Sequence, residues 1–263
     1  MTDSRLTVER IIQASDCDSS ARLGVVETFS MFMDLAGLHA EQLGNGLFSM
    51  RDRGLFWAAV KTRVRFFRRP AMMELVTAET WPEPPGRLRQ VRDYLIRSPR
   101  GEVLAAGKTE WTILDQERGG LYPVREGIYP SALEYSAAQV LPEPFYRFTE
   151  RFDAPPFARY TVRSTDIDMG RHMNNVAYVR MLAGLFSTEV REHNPIRELE
   201  IHYRSACYEG DVLSLCQKDT GDRSLALRAA AGEDDRTVVL ARAQFDHALA
   251  ESSTEDILAP SRI

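Results

Sequence analysis

Cysteine is scarce in this chain, which has three among its 263 residues: Cys17, Cys207 and Cys216. An odd number without the close pairing of a metal site argues against a disulfide framework and against a structural zinc centre. Proteins without disulfide bonds are typical of a reducing compartment. We therefore expect a cytoplasmic protein whose fold is held by packing.

Long hydrophobic runs are also missing. No stretch of 18 apolar residues occurs, which predicts no membrane span, and the first ten residues lack the apolar core of a signal peptide. The net charge is −5, and no nucleic-acid-binding motif is present, so a nucleic-acid partner is not expected. At 44% hydrophobic and 27% charged residues, the composition favours a globular protein with a sizeable core.

Residues 164–180 carry the most informative pattern. Asp168 lies four residues before His172, and Asn174 and Asn175 directly precede an apolar-periodic run. Asparagine is a good helix N-cap, so this segment predicts an acid and an imidazole in the turn that leads into a helix. Helix N-termini present unpaired N–H groups that stabilise a developing oxyanion. The apolar positions of the predicted helix are Val179, Leu182, Ala183, Phe186 and Val190.

The chain shows signs of an internal repeat. Asp18 and Asp168 each precede a helical run, and the tetrapeptide Leu-Ala-Gly-Leu occurs in both runs, at 35–38 and 182–185. Each run is followed by several strand-like segments with short turns, an order that predicts an α+β unit in which an antiparallel sheet wraps a helix. The later strands are predicted over 90–98, 103–115, 224–231 and 237–247, with hairpin turns at 99–101 and 232–235. The apolar face of the first helix is predicted to hold Phe29, Met33, Ala36, Ala40 and Leu43.

A connector is predicted between the two copies. Residues 123–156 hold 6 of the 13 prolines and show little periodicity. This gives a first domain over 1–122, the connector over 123–156, a second domain over 157–250 and a tail over 251–263.

Several segments together resemble the acyl-acyl-carrier-protein thioesterase family, over roughly residues 5–248. The resemblance implies a double hotdog fold, with two tandem antiparallel sheets that each wrap a central helix. It also implies hydrolysis of fatty acyl thioesters of acyl carrier protein by acid/base-assisted water attack, without cofactor or metal. The matching residues are Asp168, His172, Met173, Asn174, Asn175 and Tyr178, with weaker likeness over 55–66, 79–81, 92–97 and 202–208.

The residues and the resemblance together suggest roles at the site. His172 is the candidate proton donor or acceptor, and Asp168 either orients it, acts as the base itself, or only caps its own turn. Asn174 and Asn175 are expected to cap the helix and so fix the N–H groups that face the oxyanion. Cys207, predicted on a strand facing the helix entry, is either a nucleophile or, as we favour, a packing and supporting residue.

Two positions depart from the family pattern. Gly170 replaces an asparagine between the acid and the histidine, and Ala206 replaces a glutamate before the cysteine. Glu209 has the wrong strand parity to substitute for that glutamate if the strand is regular. These departures keep open a non-catalytic acyl-binding module as the alternative to a thioesterase.

The first half lacks a histidine at its matching turn, and the resemblance implies that this half holds the acyl chain. Candidate lining residues are Phe29, Met33, Trp57 and Phe66, each of which would be core by default. The histidines at 39, 193, 202 and 247 show no partner pattern. The sequence leaves open the acyl chain length and whether the protein is a monomer or a homodimer.

Residues 51–100 contain 12 Lys/Arg against 5 acidic residues. This stretch is either a solvated strand face or a docking surface for an acidic partner such as acyl carrier protein. Acyl-CoA, which is also anionic, is the alternative substrate that the stretch does not exclude.

Overall fold

The computed structural model describes residues 4–125 and 127–247 of the chain. The chain divides into two compact units between Pro144 and Phe145. The separate connector over 123–156 stays a prediction. The predicted tail over 251–263 lies outside the described residues. Among the helices that the structure describes, none is both long and apolar enough to span a bilayer.

The first unit contains one long helix and a five-stranded antiparallel sheet in the order β1-β3-β4-β5-β2, with the short β6 beside β5. The predicted hairpin between β4 and β5 is present, and Gly101 takes a positive φ of 82° in its turn. The elements are β1 (Leu6–Ile11), α1 (Val25–Gln42), α2 (Leu47–Arg51), β2 (Leu55–Phe66), β3 (Leu75–Pro82), β4 (Gln90–Arg97), β5 (Val103–Asp115) and β6 (Leu121–Tyr122).

Helix α1 packs closely on its sheet. The ring of Phe32 stacks on Tyr94 of β4 with centroids 4.7 Å apart, and it also covers Gly107 of β5. A Cβ atom at Gly107 would come within 2.5 Å of the Phe32 ring, so glycine permits this close approach. The buried face of α1 agrees with the predicted one at Phe29, Ala36 and Leu43, whereas Met33 and Ala40 are only partly buried. Phe32, Leu35 and His39, which were not predicted to face inward, are also buried.

The second unit repeats this architecture. Its antiparallel strands follow the order β7-β9-β10-β11-β8, which is the order of the first unit element by element. The predicted strands over 224–231 and 237–247 correspond to β10 and β11. The elements are β7 (Ala158–Thr161), α3 (Asn175–Ala183), α4 (Thr188–His193), β8 (Ile196–Tyr203), β9 (Val212–Gly221), β10 (Ser224–Ala231) and β11 (Arg236–Phe245).

The second helical run is shorter than predicted. Helix α3 ends at Ala183, with Gly184 as its C-cap, and the Ser187 hydroxyl then accepts the Val190 N–H at the start of α4. Glycine and a new N-cap serine thus interrupt the periodic pattern. Phe186 lies between the two helices, where its ring packs 5.1 Å from that of Phe245.

The chain between β6 and β7 has no strand or helix among its described residues, yet it is firmly held. In the first unit, the Lys108 ammonium donates to the carbonyl oxygens of Leu141 and Glu143 at 2.6 and 2.5 Å, and the Trp81 indole donates to that of Ala138. In the second unit, the ring of Phe148 packs on that of His202 at 4.8 Å. This segment is therefore part of both units' packing.

Candidate active site

A tight turn before α3 places Asp168 and His172 together. The backbone N–H of Asp168 donates to the His172 carbonyl, that of Arg171 donates to the Asp168 carbonyl, both at 3.0 Å, and Arg171 takes a φ of 59°. One carboxylate oxygen of Asp168 accepts the Gly170 N–H at 2.8 Å. Asp168 thus caps its own turn with Oδ1, and in the described part of the chain its Oδ2 accepts no hydrogen bond.

The imidazole of His172 lies beside this carboxylate. A Cβ atom at Gly170 would stand 3.1 Å from Asp168 Oδ1 and 3.5 Å from His172 Nδ1, so position 170 separates the acid from the imidazole. The imidazole ring also lies close to the exposed ring of Tyr208, with ring centroids 5.3 Å apart. Among residues 4–125 and 127–247, none forms a hydrogen bond with the His172 ring, so both ring nitrogens are left for a substrate or water.

The N-terminus of α3 begins two residues further on. Of the two asparagines predicted to cap the helix, Asn174 is the N-cap, and its side-chain oxygen accepts the Val176 N–H at 2.7 Å, whereas Asn175 is the first residue of the helix. The Asn174 carbonyl accepts the N–H groups of Ala177 and Tyr178. Of the four N–H groups that a helix start leaves without an intrahelical acceptor, that of Asn175 is the one without an acceptor in the described structure. The oxyanion role of Asn174 and Asn175 stays a prediction.

Cys207 does not lie on a strand, contrary to the prediction. Strand β8 ends at Tyr203, because the N–H groups of Arg204 and Ser205 both donate to the Val238 carbonyl and break the regular register. The parity argument against Glu209 therefore does not apply. Glu209 is exposed and lies in a turn that Asp211 N–H closes on the Tyr208 carbonyl.

Cys207 has the environment of a packing residue. Its side chain is fully buried, and its carbonyl accepts the Met173 N–H at 2.8 Å, which fixes the turn at Asp168 to this segment. Burial raises the pKa of the Cys207 thiol, an effect that the nearby Tyr178 hydroxyl and the Arg236 charge only partly oppose. A nucleophilic cysteine needs the opposite shift of its pKa.

The first unit carries the same turn at Asp18. Asp18 N–H donates to the Arg22 carbonyl, Ala21 takes a φ of 55°, and the Ser20 N–H donates to Asp18 Oδ1. Leu23 N–H donates to the Pro70 carbonyl at 2.8 Å, just as Met173 N–H does to that of Cys207. Position 22 therefore corresponds to position 172, 20 to 170, and 69 to 206.

The two turns differ in whether their aspartate carboxylate is engaged by neighbouring side chains. In the first unit, the Arg69 guanidinium forms an ion pair with Asp18 Oδ2 and also donates to the Ser20 hydroxyl at 3.1 Å. Burial acts to raise the pKa of Asp18, but the hydrogen bonds from Ser20 and Arg69 outweigh it and lower that pKa. Both carboxylate oxygens are thus engaged, and Arg22 replaces the histidine. In the second unit, Ala206 and Gly170 leave the corresponding carboxylate open.

Other contacts were not predicted from the sequence. His202 is buried and its Nε2 lies 2.7 Å from Glu200 Oε1, while His39 Nδ1 lies 2.9 Å from Arg92 Nη1. The sequence shows no partner pattern for these histidines because the partner of His202 depends on strand geometry and that of His39 lies on a distant strand. Beside the site, the Arg236 guanidinium donates to the Ala206 carbonyl at 3.2 Å. Within the described ranges, no group of three or more His, Cys, Asp or Glu side chains is placed to hold a metal ion.

Half of the twelve cations of the basic stretch over 51–100 form close ion pairs within the first unit. Six of its cations form ion pairs with carboxylates at 3.2 Å or less, several of them on other strands. Arg63 is buried and donates to the carbonyl oxygens of Glu143 and Pro144. These pairs favour the strand-face interpretation over the docking surface. The six cations are Lys61, Arg65, Arg68, Arg69, Arg89 and Arg97.

The four candidate acyl-binding residues all lie in the first unit. Phe29 and Phe66 are buried, whereas Met33 and Trp57 are partly buried. The Trp57 indole donates to the Asn45 carbonyl at 2.9 Å and packs on a core cluster that includes Met50, Leu55 and Ile113. Contact with an acyl chain stays a prediction for all four.

A helix packed on an antiparallel sheet, present in two copies with the same strand order, defines a double hotdog, as predicted. Solved structures share this fold. An acyl-ACP thioesterase from Bacteroides thetaiotaomicron superimposes with a TM-score of 0.83 at 20% identity, covering 92% of this chain and 98% of its own. The 12:0-ACP thioesterase from Umbellularia californica gives 0.77 at 22% identity, covering 92% and 96%.

Sequence comparison identifies the family. The model of the acyl-ACP thioesterase N-terminal domain matches residues 6–131, and that of the C-terminal domain matches residues 149–247. The chain belongs to the acyl-ACP thioesterase family. A relative, the chloroplastic oleoyl-acyl carrier protein thioesterase of Coriandrum sativum, is 23% identical over 86% of this chain and 66% of its own length. The chain spans about three fifths of the length of the curated relatives it matches.

Proposed function

We propose that the protein is a thioester hydrolase that releases fatty acid from acyl carrier protein. The observation that carries the proposal is the contrast between the two turns. Asp168 keeps one carboxylate oxygen open beside His172, whereas Asp18, at the equivalent turn, is closed by Arg69. The family membership and the names of the relatives support the same activity and substrate class.

We propose the following chemistry for these groups. The open oxygen of Asp168 takes a proton from water as the water oxygen bonds to the thioester carbonyl carbon. The carbonyl oxygen becomes an oxyanion that the N–H at the start of α3 stabilises. When the carbon–sulfur bond breaks, protonated His172 gives its proton to the leaving thiolate, and the proton on Asp168 then restores His172. Carboxylic acid and free thiol are the products.

The proposed roles of Asp168 and His172 predict how much hydrolysis slows when either residue is replaced. A positioned general acid or base contributes about 10²–10⁴ in rate. Asp168→Asn and His172→Ala should therefore each lower single-turnover hydrolysis of acyl-carrier-protein thioesters by about 10²-fold or more. Asp18→Asn is the matched control, because it changes the equivalent carboxylate of the first unit and should leave hydrolysis close to the wild-type rate.

The same assay separates the alternatives when it is run over a range of acyl chain lengths with the matching acyl-CoAs alongside. Faster turnover of the CoA series would make the protein an acyl-CoA thioesterase. Binding of both series without turnover would support the acyl-binding module, for which Gly170 and Ala206 are the motivating departures. Wild-type rates in both Asp168→Asn and His172→Ala would refute the site itself.

A further inference from the structure

Asp166 lies in the chain that leads into α3 and is buried, although the proposed chemistry does not use it. The residue is 4% exposed. Oδ2 of its carboxylate accepts the Tyr160 hydroxyl and the Arg163 N–H, both at 2.8 Å. Its carbonyl oxygen accepts the Asn174 N–H, also at 2.8 Å. Tyr160 and Asp166 therefore form an anchor that joins β7 to the residue that caps α3.

The Tyr160 hydroxyl is the donor in this anchor. Burial, together with the hydrogen bond to Asp166, raises the pKa of Tyr160 to about 12, so the phenol keeps its proton at neutral pH. A hydrogen bond that a carboxylate accepts is about twice as strong as one between neutral groups. Two donors on one oxygen restrict the rotation of the Asp166 carboxyl group, and they restrict with it the backbone that carries the carbonyl bonded to Asn174.

The first unit has an equivalent anchor, formed by Arg10 and Asp16. The carbonyl of Asp16 accepts the Gly24 N–H at 2.9 Å, and its Oδ2 accepts the Gln13 N–H at 2.9 Å. The Arg10 guanidinium takes the place of the Tyr160 hydroxyl and donates to both carboxylate oxygens of Asp16, at 2.8 and 2.7 Å. The two anchors therefore share their backbone contacts and differ in the side chain that holds the acid.

The residue held by the anchor of the second unit directly precedes the proposed oxyanion donor. The Asn174 carbonyl and the Asn175 N–H belong to one peptide plane, so fixing Asn174 restricts the direction in which the Asn175 N–H points. Stabilisation of an oxyanion depends on donors that are already in place when the charge develops. A misplacement of about 1 Å at a reacting centre can cost about 10²-fold in rate. A contact that only fixes Asn174 can therefore act on hydrolysis.

We propose that Tyr160 and Asp166 are positioning residues of the candidate active site, which hold Asn174 and so aim the Asn175 N–H at the thioester carbonyl oxygen. The inference rests on the proposed function and deepens it, because it assigns a role to two residues outside the reacting groups. The N–H acts on charge that develops in the transition state and not on substrate binding. Loss of the anchor should therefore lower kcat and leave KM unchanged.

Tyr160→Phe removes the donor hydroxyl with almost no change of shape, and Arg10→Met removes the equivalent donor of the first unit as a matched control. Tyr160→Phe should lower kcat for acyl-carrier-protein thioesters by at least about tenfold at unchanged KM, whereas Arg10→Met should leave both constants close to wild type. Asp166→Asn keeps an accepting oxygen and should retain most of the wild-type kcat. Asp166→Ala should lose at least as much as Tyr160→Phe. A loss in Asp166→Asn as large as that in Asp166→Ala would overturn the positioning role, because the charge itself would then be required.

Amide hydrogen exchange, measured by NMR, tests the anchor without any turnover. Exchange of the Asn174 N–H should speed up in Tyr160→Phe and stay unchanged in Arg10→Met, and the reverse should hold for the Gly24 N–H. A wild-type protein without turnover would refute the proposed function, and exchange at Asn174 would then decide the anchor by itself. Unchanged exchange at Asn174, or a wild-type kcat in a folded Tyr160→Phe protein, would overturn the inference.

Discussion

The residues around Asp18 in the first unit suggest substitutions that would inactivate Asp168 in the second unit. Because positions 20 and 69 correspond to 170 and 206, the double substitution Gly170→Ser with Ala206→Arg rebuilds the arrangement that engages Asp18. Serine at 170 reproduces a hydroxyl next to the acid, and arginine at 206 reproduces the ion pair. We expect the open oxygen of Asp168 to be taken by the new guanidinium.

The magnitude follows from the role assigned to that oxygen. If Asp168 is the general base, its loss costs about 10²–10⁴ in kcat/KM, or about 3–5 kcal/mol of transition-state stabilisation. Stability should not fall, because the Asp18–Arg69 pair is present in the native first unit with both side chains at most 14% exposed. A folded and nearly inactive protein is therefore the expected outcome.

The assay is single-turnover hydrolysis of an acyl-carrier-protein thioester, with thermal unfolding as the check on folding. Ala206→Met supplies a long uncharged side chain at the same position and controls for bulk, and Gly170→Ser alone controls for the hydroxyl. Both single variants should keep a rate within about tenfold of the wild-type rate. That loss is smaller than the loss of about 10²-fold or more expected when a general base is removed. A double variant that folds and hydrolyses as fast as wild type would show that the open Asp168 oxygen is not used.

Three further predictions concern other residues. Cys207→Ser should retain substantial hydrolysis, since the buried thiol has a raised pKa; complete loss in a folded protein would indicate covalent catalysis. Burial, with the nearby charge of Glu83, raises the pKa of Asp93 to about 7, so the fold loses stability as pH rises from about 4 to 7. Asp93→Asn should raise the unfolding free energy at pH 8 by up to about 4 kcal/mol and by little at pH 4, as measured by denaturant titration at both values. Arg69→Met should lower the unfolding free energy by about 1–3 kcal/mol at pH 7 and by less near pH 3, because Asp18 has a lowered pKa and its stabilisation is lost as it protonates; an equal effect at both values would contradict the ion pair.

Local patterns predicted much of the fold. The cap at Asn174, the turn at Asp168 and the hairpin at Gly101 depend on residues within a few positions of one another, and the structure has each of them. The internal repeat was visible from Asp18 and Asp168 and from the shared tetrapeptide. The identical strand order of the two sheets agrees with it.

Contacts between distant segments were not predictable in the same way. The partner of Asp18 is Arg69, 51 residues away, and that of His39 is Arg92, 53 residues away. The sequence left the basic stretch open as a strand face or a docking surface, because four of its six ion pairs use carboxylates that lie outside it, namely Asp18, Glu110 and Glu143. A one-dimensional pattern carries no information on which strands become neighbours.

The sequence by itself determined the family, the two-unit organisation and the acid–histidine turn, because each depends on residue types at short and regular spacing. Tertiary structure alone decided which carboxylate is open. Strand pairing brings Arg69 onto Asp18 in one unit and leaves only Ala206 at the equivalent place in the other. It also removed Cys207 from the strand and buried it, through a break in register after Tyr203. The chemistry of the site therefore depends on cross-strand neighbours, which form only when the sheet closes around its helix.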